Sequence, residues 1–527
     1  MEHKVLITTS GSGRRLGNLT KYTNSALVRV GKKPAISYIV ETYPTDTKFV
    51  ITVGHFADQV KDFLHMAYPD RNFEFIDVAN YDGEGSSLGL SMLAAKESLQ
   101  CPFIFHASDT IIAEAPPGPD KNWIGVFRGE DASQYASWSE GEDGSLVLLD
   151  KGARDFDFIH IGLVGIKDYK AFWHKLGSAH KNNPDDSTLN DCIAIAALLK
   201  DGTKFDLEEF ATWYDVGNAA SLRHAREAIP DSFHNLDKFE EEIFIFEDFA
   251  IKFFFNEKTL ANRVERARIL SGLVPKIEAS SKNFYRYTLA KGDLYSRVAN
   301  AKDFGEFLSW AKGRLWLPHE EVSKSEFKVV CQKFYKDKTI ERINKFLSMN
   351  FVKDETQIIN GEKIPPVLEI IEKIDFNWLT EAKQTGFHGD FILENIIKTK
   401  DGYALIDWRQ DFGGLLSSGD MYYDLAKLNH NLMVNHDLVD KEHFYVRHKA
   451  NGDIECEILV KHSLAECRRV LVDFLNKNGY DKKKVGVLTA LIWLNMSPLH
   501  HHPFNIFLFH FGKYHLWRAL NLGALKE

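Results

Sequence analysis

The sequence predicts an α/β protein of two domains, an N-terminal doubly wound mixed sheet followed by a bilobal α+β domain. An apolar strand at residues 4–10 runs directly into a glycine-rich turn at 11–17. Near the other end, a polar loop at 388–395 is followed by a short hydrophobic strand and an acidic residue. A stretch of proline and polar residues at 228–235 separates the two patterns. The predicted boundaries are 1–230 for the first domain and 236–527 for the second, with its lobes at about 236–300 and 301–527.

Composition excludes several classes of protein. The chain has 527 residues, 44% hydrophobic and 26% charged, as expected for a folded protein with a sizeable core. A net charge of −9 argues against nucleic acid as a partner. The five cysteines lack C-x-x-C spacing, which favours the reducing cytoplasm over a disulfide framework. No run reaches the ~18 apolar residues of a membrane span, and a strand begins too early for a signal peptide, so we predict neither.

The first strand ends at a turn suited to phosphate. Glycines there let the backbone approach a phosphate closely, and successive N–H groups form an anion cradle from Gly11, Ser12 and Gly13. Arg15 adds charge-assisted hydrogen bonds to phosphate oxygens. The glycines alone are equally compatible with an ordinary turn between a strand and a helix. The wider sequence context decides between the two interpretations.

Four further patterns follow in order along the same domain. An apolar strand ends at Gly54, and a turn then carries small residues before a helix. A buried strand ends at Asp109, and Asp215 lies in a Trp-Tyr-Asp-Val-Gly turn. The small residues of the turn are Gly83, Gly85, Ser86 and Ser87.

Together with Gly11-Ser-Gly-Arg-Arg-Leu16 and Lys33-Pro34, these patterns resemble the signature of sugar-phosphate and phosphocholine nucleotidyltransferases. The resemblance implies a Rossmann-like fold with Mg²⁺ held by Asp109 and Asp215, catalysis assisted by Arg15, and the nucleotide bound by the two glycine-containing turns. It also places the acceptor near Gly162 and Asp191, where an ordinary core is the alternative.

One position departs from that family. Ser25 stands where the family pattern P-K-x-L has its lysine, and a serine cannot supply the positive charge. Either Lys21, Lys32 or Lys33 compensates, or this domain turns over slowly.

The second domain contains the spacing H-x-D-x-x-x-x-N at His388–Asn395. Phosphoryl transfer from ATP needs a carboxylate to orient the attacking hydroxyl, and Asp390 is the candidate. Asn395 from the same loop and Asp407 at the end of the next strand are candidate magnesium ligands. The alternative is a set of loop carboxylates that only cap turns.

His-Gly-Asp with the following Ile-Asp-Trp resembles the aminoglycoside phosphotransferase and choline kinase superfamily, which is protein-kinase-like in fold. The run Gly419–Lys427 is similar to the helix start that braces the catalytic loop in that superfamily. Lys252, a cation in an otherwise hydrophobic strand, is the predicted phosphate ligand, with Glu265 as its carboxylate partner. An edge-strand lysine facing solvent is the alternative.

Taken together, the resemblances imply a bifunctional enzyme. A kinase would phosphorylate a small alcohol, amino alcohol or sugar with ATP, and a nucleotidyltransferase would transfer CMP from CTP to that phosphate, releasing pyrophosphate. Mg²⁺ is the implied cofactor, and the product would be a CDP-alcohol for surface polysaccharide or lipid decoration. A sugar 1-kinase joined to a sugar-1-phosphate nucleotidyltransferase is one alternative. Another is an active kinase with a regulatory, non-catalytic N-terminal domain; whether the chain forms a homo-oligomer stays open.

Overall fold

The computed structural model describes residues 3–142, 144–229 and 239–522. Within these residues the chain forms two compact units. The first comprises residues 1–257 with 278–287, and the second 258–277 with 288–527, each to the extent described. The predicted boundary at 230–236 lies outside the described residues.

The first unit is an α/β fold with a mixed sheet of nine strands, in agreement with the predicted fold class of the N-terminal domain. Its main path has the order β10-β9-β11-β6-β1-β4-β5, with β8 paired to β11 and β12 paired to β8. The strands of the unit are β1 (Lys4–Thr8), β2 (Arg29–Val30), β3 (Lys33–Pro34), β4 (Lys48–Val53), β5 (Asn72–Asp77), β6 (Phe103–Ala107), β7 (Thr110–Ile112), β8 (Trp123–Phe127), β9 (Ser137–Glu140), β10 (Leu146–Leu149), β11 (Phe158–Ile166), β12 (Asp206–Glu209), β13 (Trp213–Asp215), β14 (Glu241–Ile245), β15 (Phe249–Phe254), β16 (Ile277–Ser280) and β17 (Phe284–Thr288). Its helices are α1 (Ala35–Thr42), α2 (Ala57–Ala67), α3 (Leu88–Ala94), α4 (Tyr169–Asn182), α5 (Asp191–Lys200) and α6 (Ala219–Ala228).

Both faces of the sheet are buried, as a doubly wound fold requires. Strands β1, β4, β5 and β6 pair in parallel, whereas β11 runs antiparallel to β6. Because side chains alternate along a strand, Val5 and Ile7 join one hydrophobic cluster with α1 and α2, and Leu6 joins another with α3, α4 and α5. The carboxyl ends of β1 and β6 therefore lie side by side, which brings the glycine-rich turn next to the turn that contains Asp109.

A second sheet, of order β14-β15-β17-β16, corresponds to the strands predicted for the first lobe of the C-terminal domain. Its apolar face packs on α2, where the ring of Phe63 lies 5.2 Å from that of Phe244 and 6.0 Å from that of Phe284. An ion pair of 2.8 Å between Arg29 of β2 and Glu242 of β14 is a further contact of this sheet within the first unit. Compactness thus groups these strands with the first unit, although the sequence pattern assigned them to the second domain.

The second unit is mainly helical. A core of α14, α17 and α18 is covered by α11, and α16 packs against α9 and α14. Its helices are α7 (Glu257–Ile269), α8 (Tyr295–Val298), α9 (Ala301–Arg314), α10 (Lys324–Gln332), α11 (Lys338–Asn350), α12 (Val367–Glu372), α13 (Phe376–Leu379), α14 (Met421–Met433), α15 (His436–Asp440), α16 (His462–Lys477), α17 (Lys482–Met496) and α18 (Phe504–Asn521). The strands are β18 (Asp293–Leu294), β19 (Gln357–Ile359), β20 (Glu362–Ile364), β21 (Gln384–Thr385), β22 (Ile396–Thr399), β23 (Gly402–Leu405), β24 (Gly419–Asp420), β25 (Phe444–His448) and β26 (Ile454–Ile458).

α17 explains an apolar run in the sequence. The helix is hydrophobic on all sides because it is enclosed by neighbouring helices, and its buried residues extend from Lys484 to Leu494. Among the helices that the structure describes, none combines the length and the apolarity needed to cross a bilayer.

Candidate functional sites

The glycine-rich turn of the first unit is held in shape by buried polar contacts. Gly13 has φ of 63°, in the left-handed region that favours glycine, and a Cβ there would lie 2.7 Å from that of Ser25. Asn24 is fully buried, and its Nδ2 donates to the carbonyls of Thr9 and His55 at 2.8 and 2.6 Å. These bonds hold the segment after the turn against the ends of β1 and β4. Thr20 Oγ1 donates to Gly13 O at 3.1 Å, so the backbone of the turn is itself held by a hydrogen bond before any ligand binds.

Two carboxylates converge beside this turn. Asp109 follows β6, and Asp215 ends β13, whose pairing with β7 sets Asp215 opposite Thr110. A Cβ on Gly217 would lie 2.4 Å from Asp109 Oδ2 and 3.1 Å from Asp215 Oδ1. Both carboxylate oxygens therefore lie around the same position, which any side chain at residue 217 would occupy. Carboxylate oxygens are the ligands that Mg²⁺ prefers, and the pair fits that ion.

Arg15 contacts the same group. Its Nη2 lies 3.4 Å from Asp109 Oδ2, and it keeps most of its exposure, so it can also reach a phosphate. Desolvation raises the pKa of Asp109, and the negative charge of Asp215 raises it further, while Arg15 lowers it. Like charges held this close favour a cation between them.

Two residues of this site carried no recognised signal in the sequence. The hydroxyl of Tyr135 donates to Asp215 Oδ2 at 2.9 Å, and Nδ2 of Asn218 donates to the same oxygen at 3.1 Å. Asn218 also caps α6 by accepting from the amides of Ala220 and Ser221. Only the folded chain brings Tyr135 to Asp215, because the two lie 80 positions apart.

The predicted nucleotide turn is close to the glycine-rich one. Gly83 and Gly85 have φ of 91° and 76°, and Ser86 Oγ donates to Gly83 O at 2.7 Å. Ser87 caps α3 by accepting from the amide of Leu90. An exposed ion pair of 2.6 Å between Arg14 and Asp82 links this turn to the glycine-rich loop. The structure thus brings together the two segments that sequence reasoning assigned to the nucleotide.

Ser25 lies against the glycine-rich loop, so a side chain at this position borders the proposed phosphate cradle. Of the lysines predicted to compensate, Lys33 pairs with Glu41 at 2.8 Å and lies over the ring of Phe246. Lys21 is exposed, with its ammonium over the ring of Tyr22. A charge on Lys33 is therefore already neutralised by a carboxylate.

Asp191 lies in the core. It is 3% exposed, and its Oδ2 lies 2.9 Å from Nε2 of His160. Trp138 Nε1 donates to His160 Nδ1, so the remaining hydrogen on Nε2 points at Asp191. Among the described residues, His160, Asp191 and Cys192 form the one group of three with ligand atoms within 4.8 Å, but both ring nitrogens are engaged. The predicted substrate role of Asp191 stays a prediction.

Gly162, the other predicted substrate residue, lies in β11 with φ of 71°. A Cβ there would be 2.9 Å from that of Ala107, at the end of the strand that leads to Asp109. The structure thus places Gly162 near the carboxylate pair, beside a register shift in β11.

Replacing Asp191 with alanine is expected to lower the free energy of unfolding by about 3–5 kcal/mol, since it leaves a buried imidazole without its partner. An asparagine at this position would keep an acceptor, so Asp191→Asn should cost clearly less. Chemical denaturation of both variants measures this difference. An Asp191→Ala protein of unchanged stability with a raised KM for the acceptor would contradict the structural role and favour the substrate role.

The H-x-D-x-x-x-x-N segment of the second unit forms a tight cluster around Asp390. Lys427 Nζ lies 2.7 Å from Asp390 Oδ1. Asn395 Nδ2 donates to Oδ2 of the same carboxylate at 3.0 Å and to its backbone oxygen at 2.9 Å. Although burial opposes ionisation, the charge of Lys427 lowers the pKa of Asp390 to about 2. Because Nδ2 of Asn395 donates to Asp390, its Oδ1 is the atom left for the predicted Mg²⁺.

Asp424 braces this loop from α14. Its carboxylate accepts from the amides of His388 and Gly389 at 2.8 and 2.7 Å, and from Trp316 Nε1 at 3.1 Å. The predicted bracing run thus contains Asp424, but it also contains Lys427, which sequence analysis did not single out. Position 427 carried a signal, because it lies three residues after Asp424 on the same helical face.

Asp407 takes up the left-handed conformation with φ of 55° at the end of β23. Arg263 Nη1 donates to Asp407 Oδ1 and to the carbonyl of Trp408, both at 2.7 Å. This arginine on α7 was missed by sequence analysis. Glu265, the residue predicted from the same helix, instead pairs with Arg268 at 2.8 Å on the exposed side. Its nucleotide-binding role stays a prediction.

Lys252 lies on β15 and is 8% exposed, opposite Ile243 of β14. The alternative of a lysine that faces solvent is therefore wrong. Lys252 belongs to the first compact unit and Asp390 to the second. Its binding of phosphate stays a prediction.

No protein-family model matches the chain, and no curated protein is similar to it. Solved structures that resemble it include a CTP:phosphocholine cytidylyltransferase from Streptococcus pneumoniae, at 20% identity and a TM-score of 0.37, over 43% of this chain and 99% of that chain. A UDP-glucose pyrophosphorylase from Acinetobacter baumanii is similar at 15% identity and a TM-score of 0.35, over 43% and 92%. An inositol-1-phosphate CTP transferase from T. maritima is similar at 13% identity and 0.34, over 43% and 97%.

Proposed function

We propose that the first unit transfers a nucleotidyl group from a nucleoside triphosphate to a phosphorylated acceptor. The observation that carries this proposal is the convergence of Asp109 and Asp215 at Gly217, beside a preorganised glycine-rich turn. Such a site can bind a triphosphate and hold a divalent cation at the reacting phosphate. CTP is the proposed donor, from the sequence resemblance to phosphocholine nucleotidyltransferases.

Each residue of this first site has a separate proposed role. Backbone N–H groups of Gly11, Ser12 and Gly13 would bind the phosphates, and Arg15 would neutralise charge that develops on the α-phosphate. Asp109 and Asp215 would hold Mg²⁺, which supplies Lewis-acid stabilisation when bound. An oxygen of the acceptor phosphate forms a bond to the α-phosphorus, and the bond to the β-phosphate breaks, so pyrophosphate leaves.

We infer a second activity, phosphoryl transfer from ATP, from the cluster in the second unit. The supporting observation is that Lys427 and Asn395 hold Asp390 in an ionised, oriented state. Asp390 would orient a substrate hydroxyl and accept its proton as the oxygen attacks the γ-phosphorus and ADP leaves. Asn395 and Asp407 would hold Mg²⁺.

The two proposed reactions can follow one another, because the phosphate group that the second unit would add to the alcohol is the nucleophile that the first unit requires. The proposed product is an NDP-activated alcohol of the CDP type, a precursor for decoration of a surface polysaccharide or lipid. ATP and CTP as co-substrates favour the cytoplasm as its location. A sugar kinase joined to a sugar-1-phosphate nucleotidyltransferase is the second candidate, favoured by the Asp-x-Gly turn at Asp215.

The direct test is to incubate the protein with ATP, CTP or UTP and a panel of hydroxyl compounds, and to follow ADP and pyrophosphate separately. ADP formation that requires an acceptor supports the kinase. Pyrophosphate formed with the phosphorylated acceptor supports the nucleotidyltransferase. If pyrophosphate is absent with every acceptor while ADP forms, the first unit is a nucleotide-binding regulatory module.

Replacing Ser25 with lysine is expected to tighten binding of the nucleoside triphosphate by about tenfold, because the added cation can form a charge-assisted hydrogen bond to the phosphates. A tenfold change in affinity corresponds to about 1.4 kcal/mol. Ser25→Met, which adds length without charge, is the matched control. Isothermal titration with CTP measures both. Equal affinities of the two variants would show that position 25 does not face the phosphates.

A further inference from the structure

The second unit contains a cavity of about 190 Å³ whose wall is shared with the catalytic cluster. Lys427 lines the cavity and also pairs with Asp390, so a molecule in the cavity lies beside the proposed catalytic base. The back of the cavity is apolar, formed by side chains of α17 such as Leu488 and Leu491. This position is suited to the acceptor, because its hydroxyl must reach Asp390.

The charge lining this cavity is one-sided. Lys338, Arg342, Arg409 and Lys427 all contribute to the wall, and no carboxylate does so. Among the described residues, no carboxylate lies within ion-pair distance of Lys338, Arg342 or Arg409. The charge of Asp411 raises the pKa of Lys338, but less than burial and the neighbouring cations lower it. The backbone oxygen of Asp411 accepts a hydrogen bond from Arg409 Nε.

The arrangement has a cost unless an anion binds there. Lys338 and Arg342 lie four positions apart on α11, where like charges repel. The ammonium of Lys338 contacts the ring of Phe334 at 4.4 Å rather than a carboxylate, and Arg409 lies over the same ring at 5.1 Å. Burial and then the neighbouring cations Arg409, Arg342 and Lys427 lower the pKa of Lys338 to about 7. An anionic ligand would relieve both the repulsion and the desolvation.

We propose that the acceptor, whose hydroxyl is phosphorylated at the site of Asp390, is a small compound that also bears an anionic group, either a carboxylate or a phosphate. Lys338, Arg342 and Arg409 bind that anionic group. This inference rests on the proposed kinase function and narrows its substrate class. It disfavours choline and other cationic amino alcohols, because Lys338, Arg342 and Arg409, unlike Lys427, do not pair with a described carboxylate and would repel a quaternary ammonium. It also disfavours neutral polyols, which leave the cations unpaired.

The test measures binding apart from turnover. The full-length protein, saturated with Mg²⁺ and a non-hydrolysable ATP analogue to fill the nucleotide site, is titrated calorimetrically with four probes: inorganic phosphate, glycerol 3-phosphate, D-glycerate and choline. We expect at least one anion to bind and choline not to bind. Lys338→Met and Arg342→Met should each weaken anion binding at least tenfold. Lys345→Met, an exposed position on the same helix, should change it less than twofold.

Binding of choline in place of the anions, the absence of any anion binding, or equal anion affinity in Lys338→Met and the parent would overturn the proposal. Tighter binding of glycerate than of both phosphates assigns the site to a carboxylate, and the reverse assigns it to a phosphate. The kinase function is judged separately. If glycerol 3-phosphate or D-glycerate binds in this way and neither supports ADP formation, the result counts against the kinase and leaves the anion site standing. Phosphorylation of choline at an unchanged rate in Lys338→Met would support the kinase and refute the anion site.

Discussion

Asp390→Asn is expected to lower acceptor-dependent ADP formation by about 10³-fold, in the range observed when a general base is removed. Asparagine has nearly the same shape, and Asn395 would keep its hydrogen bond to the backbone oxygen of residue 390. The change therefore removes the charge and the proton acceptor while the loop conformation is retained. Steady-state rates of ADP formation, with the acceptor that best supports the parent enzyme, measure the effect.

The state of Asp390 sharpens this prediction. Its pKa of about 2 lies below its ordinary value of 3.8, so the carboxylate is ionised throughout the working range of pH. The pair with Lys427 contributes stability that is fully present above about pH 4 and is lost as the pH falls through 2. An acid limb near neutral pH in the rate profile of the parent must then come from another group.

Asp401→Asn is the matched control, because Asp401 is an exposed acidic residue in the turn between β22 and β23 of the same region. It should leave ADP formation unchanged. Thermal unfolding of both variants separates lost chemistry from lost structure, since Asp390→Asn leaves the ammonium of Lys427 without its carboxylate. ADP formation within twofold of the parent in a folded Asp390→Asn protein would refute the kinase assignment.

Some of the residues that sequence analysis placed in sites have partners near in the sequence, whereas Asp109 and Asp215 were brought together only by the family resemblance. Asp390 and Asn395 lie five positions apart on one loop, and their hydrogen bond follows from that spacing. Gly83 to Ser87 form a local turn for the same reason. The doubly wound mixed sheet was implied by the family resemblance, whereas the apolar strands that lead to Gly11, Gly54 and Asp109 were recognised from local patterns.

Contacts that depend on tertiary packing were not found by sequence analysis. Arg263 reaches Asp407 across 144 positions, and helical periodicity alone did not distinguish it from Glu265, two positions away. Tyr135 contacts Asp215 from a loop without a recognisable pattern. The strands at 241–254 packed on α2 because their phenylalanines cover its apolar side, and no local signal states which neighbour an apolar face will choose.

The cationic cavity shows the same limit from another direction. Sequence analysis did not connect Lys338 and Arg342 with Arg409 or Lys427. Their common role is recognisable only in the folded chain, where they line one cavity together with Lys427, the partner of Asp390. Specificity is thus the least predictable property here, because it depends on which distant side chains share a cavity.

Asp109→Asn is expected to lower pyrophosphate release by about 10³-fold, while ADP formation stays within twofold of the parent. Loss of a carboxylate ligand would forfeit several kcal/mol of transition-state stabilisation by the cation, and each ~1.4 kcal/mol is a factor of ten in rate. The variant also frees Arg15 from its 3.4 Å contact, so the remaining charge at the site becomes more positive. Weaker metal binding with triphosphate affinity retained is the expected signature.

The measurement is pyrophosphate release from CTP with the phosphorylated acceptor supplied, so that a kinase defect cannot limit it. Asp120→Asn, at an exposed position in the same unit, is the matched control. Asp390→Asn provides the reciprocal one, because it should lose ADP formation and keep pyrophosphate release. Each variant would then remove one reaction and spare the other, which two independent sites require. If Asp109→Asn lost both activities while remaining folded, the two reactions could not be assigned to separate carboxylates.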